Sequence, residues 1–452
     1  MVPGKILQQF FFWSVWLVIP LLWEIVVGFL SAVVLVFKRF GSKPRKLDFC
    51  PDVAILIPAY NSELTIKKCL DSILTQNYPL DKIEVFIIGN GSKDGSYDIF
   101  NKFHYENNGM NIWWHHSPKG KSKALNKGIF GSKSKYIINI DSDGWLDSNA
   151  VRNIIAKFEG DEDISCMTGV IMIDPELIEK TESRFKKILR KCEFFEYMEA
   201  FLVGRNFHSM TNSMFTMSGA FSCFRKEALA KTQMYNFETI GEDTHMTFQI
   251  RSFAGGKVVM CEDAFFYVDP IESFNKLYIQ RQRWQRGQLE VASLFKRFNM
   301  GGIIDFFRKF SFRIIVSDHT LAFPRLIWFF AVVYLYFVNY PLRLLIGANV
   351  LMYLIYALNS IIYLFVSSLY LRGQKSARKY ALGNWHICFI MPVYRLIAYF
   401  IRMAGIMNSL ATSSKWSAPT LSEEVDKIKA AISDELKAKL PFVYKLKKII
   451  NN

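Results

Sequence analysis

The sequence has no C-x-x-C pair, and its seven cysteines (Cys50, Cys69, Cys166, Cys192, Cys223, Cys261 and Cys388) are odd in number. Neither a disulfide framework nor a cysteine zinc site is expected, and the thiols read as buried and free in a reducing compartment. His115, His116, His208, His245, His319 and His386 form no H-E-x-x-H, which removes metalloprotease chemistry. The G-x-S-x-G elbow of a serine hydrolase is missing, and so is the G-x-x-x-x-G-K spacing of a P-loop. With no zinc-finger or helix-turn-helix pattern, the net charge of +16 is not read as affinity for nucleic acid. Internal repeats and low-complexity tracts are absent as well.

What is present is apolar and aromatic. Hydrophobic residues make up 51% of the 452 and aromatics 15%, including 40 Phe, around a more polar middle third, so a mixed soluble and membrane protein is expected. From Phe10 to Phe37 only Ser14, Pro20, Glu24 and Ser31 interrupt an apolar run. It exceeds the roughly 20 residues that cross a bilayer and is too long for a signal-peptide core. Glu24, at mid-depth, is expected to face a protein neighbour. Further spans are expected over Phe323–Tyr340 and Ile346–Tyr370, whereas His386–Met407 carries Arg395 and Arg402 and is expected to follow an interfacial path.

Basic residues flank these runs at Lys38, Arg39, Lys43, Arg45 and Lys46, and again from Arg372 to Lys379, as cytoplasmic borders do. Between Lys296 and Arg313 aromatics alternate with Lys and Arg, which suits a helix on the membrane surface. A basic tail from Lys427 to Lys448 reads as a solvated or lipid-facing amphipathic element. The expected division is a membrane helix over 1–40, a cytoplasmic catalytic domain over 50–290, interfacial helices over 291–322, a membrane or interfacial region over 323–411 and a cytoplasmic tail over 412–452.

Between the apolar ends, Val53–Ile57, Glu84–Ile88 and Tyr136–Ile140 are short apolar runs separated by amphipathic stretches, the pattern of βαβ units. They predict a doubly wound α/β domain with a parallel sheet from about Asp52 to about Arg286. The third run ends in Asn139-Ile-Asp-Ser-Asp-Gly144. Carboxylates at a strand's carboxyl end stand in the crevice where such folds bind ligands, and Asp141 with Asp143 suits a divalent cation held against a diphosphate. Alone, such a pair is more often a turn or cap.

Other stretches carry chemistry in combination. Lys119-Gly-Lys-Ser-Lys-Ala-Leu-Asn126 sets three lysines at a helix start, a sensible place for a diphosphate. Glu242 and Asp243 in Gly241-Glu-Asp243 would by themselves be a helix N-terminal pair. In Gln280-Arg-Gln-Arg-Trp284, Gln280, Arg283 and Trp284 share one helical face. There Arg283 can clamp a diphosphate, and Trp284 offers a flat surface to a sugar ring.

With Ile57-Pro-Ala-Tyr-Asn61, Gly89-Asn-Gly-Ser-Lys-Asp-Gly95 and Met217-Ser-Gly-Ala-Phe-Ser222, these motifs stand in one order across residues about 53 to 287. The sequence thereby resembles family 2 glycosyltransferases, the processive membrane synthases of cellulose, chitin, hyaluronan and poly-N-acetylglucosamine. The resemblance implies a GT-A-type catalytic domain inserted between transmembrane and interfacial helices of a multi-pass cell-membrane protein. It implies a nucleotide pocket involving Ala59, Tyr60, Asn90, Lys121, Asp141, Gln280, Arg283 and Trp284, and Mg2+ or Mn2+ on Asp141 and Asp143. Asp243 would be the general base with Glu242 beside it, and Ser218, Gly219 and Trp284 would meet the acceptor. Gly89 and Asn90 depart from the family's acidic pair, leaving the Asn90 amide for a base edge. Asp94 reads as a turn or cap residue, and Lys415-Trp416 is similar to a gating loop.

The implied activity is inverting, processive transfer from a UDP-sugar to a growing polysaccharide, which crosses the bilayer through a path that an accessory subunit or homo-oligomer would complete. UDP-glucose is slightly favoured, giving a β-glucan with mixed 1,3;1,4 linkage among the options. A poly-N-acetylglucosamine synthase using UDP-GlcNAc is the first alternative, and a non-processive lipid-linked sugar transferase the second. No cyclic-di-GMP-binding module is expected in the chain.

Overall fold

The computed structural model describes residues 17–42, 45–237, 239–296 and 322–411, together with Gln9, Phe12, Ser14, Ser422, Glu423 and Asp426. The expected surface helix beyond Lys296, the Lys415-Trp416 pair and the run Lys427–Lys448 lie outside the described residues.

The apolar runs are strands. β1 (Val53–Ala59), β2 (Ile83–Gly89), β3 (Asn111–His116), β4 (Tyr136–Ile140), β5 (Gly144–Leu146), β6 (Ile164–Ile173), β7 (Phe221–Arg225) and β8 (Lys257–Val268) form one sheet in the order 3-2-1-4-7-6-8-5. β1, β4 and β6 are buried along their whole length, so both faces must be apolar and no alternation marks them.

The sheet is mixed rather than parallel, which corrects the expectation. β2 and β4 run parallel to β1 and β3 parallel to β2, but β7 is antiparallel to both β4 and β6, and β5 is antiparallel to β8. The reason is local. Ile140 pairs with Phe221, and Asp141 N donates to Ala220 O at 3.1 Å, so β7 starts where β4 stops and must run back. Apolar runs mark strands but carry no direction. After Asp143 the chain can re-enter the sheet only through a glycine, because a Cβ on Gly144 would stand 2.3 Å from Phe266 Cε1.

At the amino end a π-helical stretch, Leu17–Val26, leads into the α-helix Val27–Gly41. This helix packs on the long helix Leu342–Tyr370: a Cβ on Gly28 would meet Tyr363 Oη at 2.3 Å, and Tyr370 Oη donates to Leu35 O at 2.9 Å. Glu24 does face a protein neighbour, accepting from Tyr356 Oη at 2.9 Å. Lys38 and Arg45 turn inward. With Lys157 they surround Glu262 of β8 at 3.5, 3.0 and 2.6 Å. Burial works against the Glu262 charge, but the three cations hold it well below the usual carboxylate range. The base of the helix is thus fastened to the sheet.

Among the described residues one helix, Leu342–Gly373, is long and apolar enough to cross a bilayer, with a mean hydropathy of 1.9; the apolar stretch Trp328–Phe337 is shorter. The helix Met391–Ala411 sends its charges into the protein. Arg395 pairs with Glu199, Arg402 Nη1 lies 3.5 Å from Gln285 Oε1, and Tyr394 Oη donates to Glu196 at 2.7 Å.

Candidate active site

The carboxyl ends of β1, β2 and β4 share one edge of the sheet, and most of the expected site residues collect there. Asp141 and Asp143 follow β4. Lys121 opens the helix Lys121–Gly131 after Gly120, whose φ of +134° suits glycine. Lys121 Nζ donates to Asp141 Oδ1 at 2.5 Å and to Gly219 O at 3.2 Å, and it lies 4.0 Å from Glu242 Oε1. Burial opposes its charge, yet Asp141 and Glu242 outweigh that and hold the ammonium above its ordinary value.

Asp143 is exposed on the cavity wall. The protein mass around the cavity, followed by the neighbouring Asp141 carboxylate, raises its carboxyl above the usual range. Two hard oxygen donors with unfavourable mutual charge fit a divalent cation. Among the described residues no group of three or more His, Cys, Asp or Glu side chains could hold a metal.

The nucleotide edge differs from expectation in detail. Ala59 ends β1 opposite Gly89, and Tyr60 beyond it is exposed, with Lys119 Nζ 5.1 Å from its ring centre. The buried Asn90 donates through its backbone to Ala59 O at 2.8 Å and accepts on Oδ1 from Gly120 N. Its side-chain oxygen is therefore used to hold the turn that places Lys121. A Cβ on Gly89 would stand 2.7 Å from the Trp114 ring, so an acidic side chain at that position has no room. Asp94 is a turn residue, accepting from Glu63 N at 2.9 Å and from Ser96 Oγ at 2.6 Å.

Across the edge, Glu242 and Asp243 form the first turn of the helix Glu242–Gln249. Asp243 Oδ1 accepts from Thr244 N at 2.7 Å and Oδ2 from Gly219 N at 3.2 Å. Burial raises the Glu242 carboxyl, opposed by Lys121. Gly219 is the joint between the two sides: its N–H meets Asp243, its carbonyl meets Lys121, and a Cβ there would touch both at 3.4 and 3.6 Å.

Gln280, Arg283 and Trp284 lie on one face of the helix Phe274–Lys296 and line the same cavity. Arg281 is fully buried behind them. Its guanidinium is 4.2 Å from the Trp284 ring centre, and its Nη2 is 2.6 Å from Glu196 Oε2, so the indole is held by a fixed cation. The helix approaches the Gly241-Glu-Asp243 turn backbone to backbone: a Cβ on Gly287 would lie 3.0 Å from Gly241 Cα. Gly287→Ala is therefore expected to push that turn off the helix, lowering kcat at least tenfold and stability by about 1–3 kcal/mol. Turnover and thermal unfolding of the full-length variant check this.

A cavity of about 900 Å³ joins the two sides and is lined by Lys121, Asp141, Asp143, Ser218, Gly219, Glu242, Asp243, Gln280, Arg283 and Trp284. Ala59, Tyr60 and Asn90 stand outside that lining. Sequence reasoning missed a further wall of it, Glu193, Glu196, Tyr197, Phe201 and Arg205, from the helix Arg184–Glu199 and the π-helical turn after it. A signal was available: Glu193, Glu196 and Glu199 recur every third residue among aromatics, and acids buried that way call for cationic partners.

A mixed α/β sheet whose edge carries this carboxylate pair, a lysine at a helix start and a second acidic turn across one cavity has the GT-A-like architecture of glycosyltransferases. In agreement, residues 54–232 match the family model for Glycosyl transferase family 2. It is similar to the poly-beta-1,6-N-acetyl-D-glucosamine synthase of Staphylococcus aureus (strain COL), with 28% identity over 247 residues, 54% of this chain and 56% of that protein. To the synthase of the same name from Staphylococcus epidermidis it is 27% identical over 239 residues, 53% of this chain and 55% of the other. The matched region thus spans about half the length of these curated relatives. Among solved structures, the mannosyltransferase PcManGT from Pyrobaculum calidifontis in complex with GDP-Man and Mn2+ shares the fold, with a TM-score of 0.53, 16% identity, and coverage of 76% of this chain and 94% of that one.

Proposed function

We propose that the chain is an inverting, processive β-glycosyltransferase that polymerises N-acetylglucosamine from UDP-GlcNAc into a β-1,6-linked polysaccharide. The observation that carries this reading is the single cavity in which Asp243 and the Asp141, Asp143 and Lys121 cluster meet across Gly219. The names of the curated relatives favour N-acetylglucosamine over the glucose that the sequence reading slightly preferred.

Each group has a task on this reading. Lys121 and Arg283 bind the donor diphosphate, and Mg2+ or Mn2+ on Asp141 and Asp143 would supply further positive charge to the leaving group. Trp284, held by Arg281, stacks on the acceptor sugar and keeps its hydroxyl towards Asp243. Asp243 takes the hydroxyl proton as the oxygen forms its bond to the anomeric carbon and the bond from that carbon to the diphosphate breaks. Gly219 N and Thr244 N keep the Asp243 carboxylate turned to the cavity. The exposed Phe29, Leu30, Phe37, Phe330, Leu351 and Leu354 support a bilayer around the outer helices, with the catalytic domain on the cytoplasmic side. A second copy or an accessory subunit would complete the path for the polymer.

The test supplies the detergent-solubilised full chain with labelled UDP-GlcNAc or UDP-glucose and Mg2+ or Mn2+. Expected is incorporation of N-acetylglucosamine into a product that a β-1,6-specific glycosidase degrades. Incorporation of glucose alone, or a product resistant to that enzyme, would overturn the assignment of the polymer.

A further inference from the structure

Arg205 ends the π-helical turn Ala200–Arg205, the wider kind of turn that recurs at functional sites. Its guanidinium lies 4.4 Å from the Phe201 ring centre. The residue as a whole is partly exposed because it faces the cavity, yet its Nε and Nη1 are closed off from water and have no hydrogen-bond partner. A buried guanidinium without acceptors is costly, and such an arrangement suits a site whose ligand brings the acceptors. Burial brings the Arg205 pKa down to about 10, with the Asp243 carboxylate the first charge to oppose it, so the base and this guanidinium feel each other across the same space.

The surroundings narrow the ligand. Tyr197, half-buried on the same wall, offers aromatic surface to the C–H face of a pyranose ring, and Phe201 is buried behind the Arg205 guanidinium. Carboxylates outnumber cations in the cavity lining, which disfavours an anionic acceptor such as a phosphate polymer. The group Arg205 meets must then be a neutral oxygen acceptor, and on an N-acetylated sugar the amide carbonyl is the strongest one.

Resting on the function proposed above, we infer that Arg205 is an acceptor-binding and specificity residue: the part of its guanidinium that faces the cavity donates to the N-acetyl carbonyl oxygen of the terminal acceptor sugar, which sits against Tyr197. The residue takes no part in bond making. It orients the sugar whose hydroxyl Asp243 deprotonates, and it favours an N-acetylated acceptor over a plain glucan.

The experiment measures initial rates in the full-length chain with saturating UDP-GlcNAc and two acceptors, a β-1,6-linked N-acetylglucosamine trisaccharide and a β-1,6-linked glucose trisaccharide, for wild type, Arg205→Gln and Arg205→Lys. Arg205→Gln is expected to raise the KM for the N-acetylated trisaccharide about tenfold to a hundredfold, with the donor KM within twofold. Arg205→Lys should fall between, because it keeps charge but loses the fork. The wild-type preference for the N-acetylated acceptor should shrink in Arg205→Gln, which a merely structural role would not produce. An unchanged acceptor KM in both variants, or an equal rise in donor and acceptor KM, would overturn the inference. Wild type that transfers nothing from UDP-GlcNAc would instead overturn the proposed function and take this inference with it. Should Arg205→Gln fail to fold, Arg205→Lys carries the same comparison.

Discussion

Asp243→Asn is expected to cut polymer synthesis by about 10²- to 10⁴-fold, the range a positioned general base contributes, with donor binding within twofold of wild type. The substitution is close to isosteric. One amide oxygen can still accept from Thr244 N or Gly219 N, which hold the carboxylate at 2.7 and 3.2 Å, so the turn should survive. On the proposed mechanism, what is lost is the proton acceptor in the cavity that Lys121 and Arg283 also line. Neighbouring Glu242 is a poor substitute, because burial favours its protonated form and its oxygen lies 4.0 Å from Lys121. Rate measurements at saturating donor, paired with direct measurement of UDP-GlcNAc affinity, separate this effect from misfolding.

Asp143→Asn should have the second largest effect, a fall in kcat of about 10²- to 10³-fold, since a metal at the leaving group is worth several kcal/mol of transition-state charge. Asp141 cannot compensate alone, being bonded to Lys121 Nζ at 2.5 Å. Chelation of wild type should produce a comparable loss that Mg2+ or Mn2+ reverses, whereas the variant should need far more ion to recover any activity. Equal responses to chelation in wild type and Asp143→Asn would show that Asp143 does not hold the ion.

The legible parts of the fold were the ones that local sequence must encode. β1, β2 and β4 announced themselves because strands buried on both faces are continuous apolar runs. Strand direction was not readable, since the reversal of β7 depends on Ala220 lying beside Asp141, a contact made across 79 residues (220 − 141). Of the site, Asp141, Asp143, Asp243, Arg283 and Trp284 were legible through motif and helical phase, and they do share one cavity. The amide of Asn90 was read towards a base edge, but its oxygen holds Gly120, a use that only the folded turn reveals. Helical phase singles out Gln280, Arg283 and Trp284 but not Arg281, the buried cation beside Trp284. The wall around Arg205 escaped because no spacing links it to the other motifs: the π turn and the packing of Arg184–Glu199 bring it there.

The most direct measurement of the central claim is the length of labelled product made from UDP-GlcNAc by the full chain, wild type beside Asp243→Asn, resolved on a gel. Long β-1,6-linked polymer from wild type and none from Asp243→Asn is the expected result. Polymer of the same length and amount from the variant, or only a single added sugar from wild type, would contradict it.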